Sequence, residues 1–294
     1  MTTATATKTD IYATITDRII ADLEKGELTW RKPWSSEHLA GNVSAPLRFN
    51  DVPYSGVNIL VLWATAAEKG YTSPYWMTYK QAANMKASVR QGEKATKVVY
   101  ADKMVKEDTD DDGNTQERRI PFLKLYAVFN ASQIDGLPPA YYNRPEPKVV
   151  NPHQRDERVD QFFATTKAEI VMGTEAAYYP MRDRIEMPPF EAFHSAGDFY
   201  ATQAHELIHW TGHPSRLNRN LTSKFGSPEY AREELVAELG ACFLAADLGF
   251  PPKPLEVSAA YIRNWLQALK NDKRLIFSAA GQAQRAVEHA RVAC

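Results

Sequence analysis

His205, Glu206, Leu207, Ile208 and His209 form an H-E-x-x-H stretch, which constrains the fold more tightly than anything else in the 294-residue chain. Two histidines four positions apart reach one metal ion from the same face of an α-helix, where such side chains stand about 5–6 Å apart. The spacing therefore predicts a helix here. Its surroundings agree: residues 197–204 lack proline, and Gly212 with Pro214 supplies the stop. Glu206, next to the first histidine, faces the open coordination side as a general base. A catalytic ion held this way takes a third protein ligand and keeps one position for water. Another element must fold back over the helix.

The stretch REELVAELGA offers Glu233, Glu234 and Glu238, 24 to 29 residues beyond His209. Glu234 ranks first as third ligand, because with Glu238 at i+4 it resembles helical peptidases of the gluzincin kind, whose third ligand is a Glu with a carboxylate or amide at that position to orient a ligand histidine. Glu233 has Ala237 at that position and ranks second. His213 competes, since the chain follows the pattern H-E-x-x-H-x-x-G-x-x-H as far as Gly212, but the position for the third histidine holds Ser215. Two imidazoles and a carboxylate suit Zn2+, the expected ion, and also Mn2+, Co2+ or Fe2+. Upstream, residues 177–187 read as an irregular strand pair whose edge can hold an extended peptide. Tyr178, Tyr179, Tyr230 and His194 are all candidate oxyanion donors.

Five prolines between Leu137 and Pro152 deny this stretch helical donors and divide the chain. The expected organisation is a polar tail over 1–9, a first domain over 10–137, a proline-rich linker over 138–152 and a second domain over 153–294. The fold class is α+β. The first domain opens with Ile11, Ile15, Ile19 and Leu23 at helical spacing, stopped by Gly26. A second helix is expected over 55–69, closed by Gly70, and Thr78 with Gln81 reads as the capping box of a third. Lys97 to Tyr100 and Ile120 to Phe129 read as strands around an acidic tip, residues 102–117, closed by Asp112-Gly113-Asn114. The second domain is mainly helical with a small sheet over 169–187, and helical patterns fall within 195–212, 228–248 and 255–291.

The formal net charge of −1 excludes a histone-like polycation and an acidic DNA mimic, so partners must be met by local patches. One such patch follows from where the acids lie. Outside the acidic tip, residues 1–145 hold 16 basic and 10 acidic side chains. Trp30, Arg31, Lys32 and Trp34, then Tyr75, Trp76, Tyr79 and Lys80, and finally Arg90 and Lys94 supply rings and cations, which single-stranded nucleic acid needs for stacking and phosphate neutralisation. Trp63, in an apolar helical run, reads as core. The longest apolar run, Ile59 to Ala67, falls far short of the ~20 residues of a membrane span. With a polar N-terminal segment and only Cys242 and Cys294, a cytoplasmic protein without membrane partners is expected.

Several segments carry a resemblance. ITDRIIADLEKGELTWRKPW, PYSGVNILVLW, YWMTYKQA, VRQGEKATKVVY and LYAVFNASQIDGLP resemble the N-terminal single-stranded-DNA-binding domain of ArdC-type antirestriction proteins of conjugative plasmids. RDRIEMP, FYATQAHELIHWTGHPSRLNR and YAREELVAELGACFL resemble their zincin-like metallopeptidase domain. The resemblance implies a plasmid-borne protein that protects incoming DNA from host restriction, with single-stranded DNA on the first domain and a metal in the second. It places His205, Glu206, His209 and Glu234 at the peptidase positions. A host restriction component is then the expected target or competitor. Two alternatives are a general cytoplasmic zinc metallopeptidase whose first domain recognises protein, and a single-stranded-DNA-binding protein with a structural metal. Glu206 speaks against the latter, since a structural site needs no base.

Overall fold

Asp10 accepts the Tyr12 and Ala13 amides and starts helix α1 (Ile11–Glu24), which buries Ile15, Ile19 and Leu23. The computed structural model describes residues 10–36, 39, 43–109, 115–143, 151–224, 226–252 and 259–292. After α1 come a short α2 (Lys32–Ser35), α3 (Val57–Lys69) and α4 (Tyr79–Asn84), the last opened by the expected Thr78–Gln81 capping box. Strands β1 (Leu47–Arg48), β2 (Tyr75–Met77), β4 (Thr96–Thr109) and β5 (Thr115–Asn130) form a sheet of order β1-β2-β5-β4, while β3 (Ser88–Val89) pairs with β6 (Ile134–Asp135). Asn58 covers the open edge of β4, bonding both the Val99 amide (2.7 Å) and its carbonyl (2.8 Å).

The β4–β5 ladder runs without a break from Thr96↔Val128 to Thr109↔Thr115, much longer than expected. Strand pairing satisfies backbone groups whatever the side-chain charge, so most of the acidic stretch is strand rather than open tip. The expected Asp112-Gly113-Asn114 turn lies outside the described residues.

The second domain contains α5 (Glu157–Thr165), α6 (Ala196–Thr211), α7 (Pro228–Leu248), α8 (Ala259–Asn271) and α9 (Leu275–Val292). Its small sheet has the order β7-β9-β8, with β7 (Glu169–Met172) parallel to β9 (Arg184–Met187) and β8 (Ala177–Tyr179) antiparallel to it at one edge. The single helical pattern expected over 255–291 is two helices, because the Asp272 carboxylate accepts the Arg274 amide and turns the chain between α8 and α9.

The architecture is two-domain α+β, yet the domains share one hydrophobic core. Trp30 packs edge-on against Trp265 of α8, Trp63 against Phe243 of α7, and the Thr16 hydroxyl donates to the Lys273 carbonyl. Both ends of the stretch expected as linker, 138–152, are fastened. Tyr141 donates to the Phe49 carbonyl and accepts from Ser73, which ties it to the first domain, while the Pro152 carbonyl accepts the Ala196 amide of the second. Residues 144–150 lie outside the described residues. No helix among the described residues is long and apolar enough to cross a membrane.

Candidate metal centre

Helices α6 and α7 build the centre by approaching closely at one point. A Cβ on Gly240 would stand 2.8 Å from the Ile208 side chain, so glycine lets the two backbones meet. Ser195 caps α6 by accepting the Asp198 amide, and Ser227 followed by Pro228 starts α7.

His205 and His209 project from one face of α6, with their Nε2 atoms 3.1 Å apart. Glu234 faces both: Oε2 lies 3.5 Å from His205 Nε2, and Oε1 lies 3.5 Å from His209 Nε2. For metal–ligand bonds of about 2.0–2.1 Å, the edges of a tetrahedron are roughly 3.3–3.4 Å. The two ring nitrogens stand close to one such edge apart, one donor atom from each of the three residues lies within 4.8 Å of the others, and their chemistry fits a divalent ion. Among the described residues this is the one group of three or more His, Cys, Asp or Glu able to hold a metal.

Electrostatics reinforce the grouping. Burial lowers the affinity of His209 for protons, but its hydrogen bond to Glu233 and the charge of Glu234 outweigh this and raise its pKa to about 9. For Glu234, burial pushes upward and is overcome by the His205 hydrogen bond and the charge of His209, leaving about 2. A bound cation would take over the role of these protons.

The carboxylate behind the centre is not the expected one. His209 Nδ1 lies 3.1 Å from Glu233 Oε1, so Glu233 orients this ligand. Glu238, expected in that role, accepts Trp30 Nε1 at 2.9 Å and Arg31 at 2.6 and 2.8 Å. The first domain brings a guanidinium to it, and an indole N–H completes the pairing. His213 turns to Ser215 and is not a ligand here.

Glu206 points into a cavity of about 520 Å³ that also holds the three donors. Its Oε2 accepts the Tyr178 amide of edge strand β8 at 2.8 Å. Of the four oxyanion candidates, Tyr178 bonds Asp183 and Arg216, Tyr179 bonds Glu175, and His194 does not line the cavity. Tyr230 does line it, with its hydroxyl 3.0 Å from that of Tyr261, a residue the sequence reading missed because nothing in its local pattern marks it. Thr202 Oγ1 and Ser223 Oγ also belong to lining residues and are buried without a hydrogen-bond partner among the described residues.

The residues expected to bind nucleic acid divide. Trp30 and Trp76 are 0% and 1% exposed and cannot stack on a base. Trp34 packs edge-on against Trp63, Arg31 is committed to Glu238, and Lys32 pairs with Asp22 and Glu27. These five are corrected to packing and seam residues: neighbouring elements supply the apolar surface and acids that absorb them. Tyr75 is half-buried against Tyr141, and Arg90 pairs with Glu93 and Asp135. Tyr79, Lys80 and Lys94 are exposed.

Residues 9–129 match the N-terminal domain of anti-restriction factor ArdC, and residues 157–282 match a zincin-like metallopeptidase family. The uncharacterized protein y4eC of Sinorhizobium fredii is 38% identical over 286 residues, covering 95% of this chain and 91% of that protein. A DNA primase TraC of Escherichia coli is 37% identical over 95% of this chain, which spans only 27% of the primase. Two crystal structures of the antirestriction ArdC protein from plasmid R388 superpose over 97% of this chain and 98% of theirs. The metal-free one does so with TM-score 0.84 at 46% identity, the Mn(II)-bound one with 0.80 at 45%. With both domains matched in order and similarity running over nearly the whole length, the chain belongs to the ArdC family of antirestriction proteins.

Proposed function

We propose that the protein is an antirestriction factor that holds single-stranded DNA on its first domain and carries a divalent-metal peptidase centre in its second. The observation that carries the reading is the convergence of His205, His209, Glu234 and a tethered Glu206 in one cavity bounded by a sheet edge. Zinc is the ion expected from the donors. The same set suits manganese.

When bound, the ion supplies Lewis acidity toward water and a scissile carbonyl. Glu206 Oε2 is engaged by the Tyr178 amide, so Oε1 is the atom that receives a proton from the attacking water and returns it to the leaving amine. Strand β8 offers its open edge to an extended peptide. The hydroxyls of Thr202 and Ser223, unpartnered among the described residues, are suited to the amide groups of that peptide. Tyr230, beside Tyr261, is the donor placed to meet a developing oxyanion.

On the first domain, Tyr79 provides a stacking surface, with Lys80 and Lys94 as phosphate partners. The strand is incoming conjugative DNA in the recipient cytoplasm, and the competitor is a host restriction component. Protection follows from covering the strand, which explains why a DNA-holding domain accompanies the metal centre. The test is Glu206→Ala, assayed for metal content, single-strand affinity and protection of transferred DNA in cells. All three are expected to persist while peptide hydrolysis is lost. A variant that binds metal and DNA normally yet fails to protect would show that proteolysis carries the phenotype.

A further inference from the structure

Arg219 lies beyond the end of α6 and bonds none of the three donors, and yet its side chain is only 6% exposed. Its Nε reaches Glu233 Oε2 at 2.9 Å, and its Nη2 reaches Glu233 Oε1 at 2.9 Å. This is a two-pronged grip on the carboxylate that accepts from His209 Nδ1. The remaining bonds anchor the fork to the helix bearing the histidines: Nη2 donates to the Ile208 carbonyl at 2.6 Å, and Nη1 to Thr211 Oγ1 at 2.9 Å. The backbone repeats the tie, with the Arg219 amide bonding the Gly212 carbonyl.

Taking the His205–His209–Glu234 group as a metal centre, we infer that Arg219 is a positioning residue for it, acting through Glu233 on His209. Glu233 comes from α7 and His209 from α6, so the carboxylate must be held in register with a ring on another helix. Arg219 does this by gripping Glu233 while fastened to the last turn of α6. With Glu233 accepting at Nδ1, the ring is fixed in the tautomer that turns the lone pair of Nε2 toward the ion. A lysine cannot grip both carboxylate oxygens and the helix end at once.

The test is a double-mutant cycle on metal affinity, using Mn2+ and Zn2+ titrated into chelator-treated full-length protein. Arg219→Met and Glu233→Gln are each expected to weaken binding by about 10- to 100-fold. The double variant is expected to be no weaker than the worse single one, because both changes remove the same support. Thr211→Val removes one anchor at the helix end but leaves the grip on Glu233, and is expected to retain wild-type affinity. Losses that multiply in the double variant, an Arg219→Met affinity within twofold of wild type, or a Thr211→Val loss as large as that of Arg219→Met would each overturn the inference. If Arg219→Met does not fold, Arg219→Lys takes its place in the cycle, and wild-type affinity in that variant overturns it equally. A wild-type protein that binds neither ion would instead refute the reading of the centre itself.

Discussion

Residues 30–34 and residues 75–80 both interleave aromatic rings with cations, yet the first stretch lies in the seam between the domains while the second ends on open surface. Trp30 and Arg31 converge on Glu238, and Lys32 on Asp22 and Glu27. Tyr79 is 61% exposed, and Lys80 beside it is exposed as well. What separates the two is not composition but whether another element presents an acid and an apolar surface. An indole beside a guanidinium seals an interface where a carboxylate waits for both, whereas the phenol of Tyr79 and the ammonium of Lys80 stay on the surface.

The contrast can be broken most decisively at Trp30. Trp30→Ala removes a fully buried indole and one of the bonds to Glu238, and is expected to cost about 3–5 kcal/mol in denaturant unfolding of the metal-free protein. A loss under about 1 kcal/mol would place this stretch with the exposed one. Removing the metal tests the seam from the other side. With free ion at about 100 times its Kd, a chelator is expected to lower stability by about 2.7 kcal/mol, and single-strand affinity should stay unchanged because Tyr79 and Lys80 do not line the cavity. An equal fall in both readouts would mean that the two surfaces act as one.

Tyr79→Ala sharpens the contrast from the surface side. It should leave unfolding within about 0.5 kcal/mol of wild type while weakening single-strand binding by about 1–3 kcal/mol, the usual value of one stacked base. Unchanged oligonucleotide affinity in a gel shift would remove this tyrosine from the interface. The smallest effect is expected at Lys80, where Lys80→Ala should reduce the log–log salt slope of single-strand binding by about 0.7, as for one phosphate contact. A slope equal to that of the wild type would show that Lys80 meets no phosphate.

The sequence was most legible where function depends on neighbours along one helix. The four-residue spacing of His205 and His209 already specifies one face of α6, whereas the choice of Glu234 over Glu233 rests on Glu238 as its supporting carboxylate, a role that Glu233 fills instead. The exchange of Glu233 for Glu238 behind the centre was not legible. Helical period fixes which residues share a face, but not how α7 is rotated against α6, nor that Arg31 would arrive from more than 200 positions away. Arg219 and Tyr261 escaped for the same reason: their importance lies wholly in contacts across the fold. The long β4–β5 ladder was hidden by its acids, which mark a solvated stretch and leave its pairing undetermined.

The bond of Trp30 and Arg31 to Glu238 also bears on how such a chain can be divided. A cut or a recombination joint in residues 144–150 would leave one piece with an uncovered indole and the other with a carboxylate, 3% exposed when whole, stripped of its guanidinium. Neither fragment would inherit a finished surface. The two halves are therefore a single unit of exchange: a hybrid that swaps one of them must carry a matching residue at 30, 31 and 238 to fold as well as its parents.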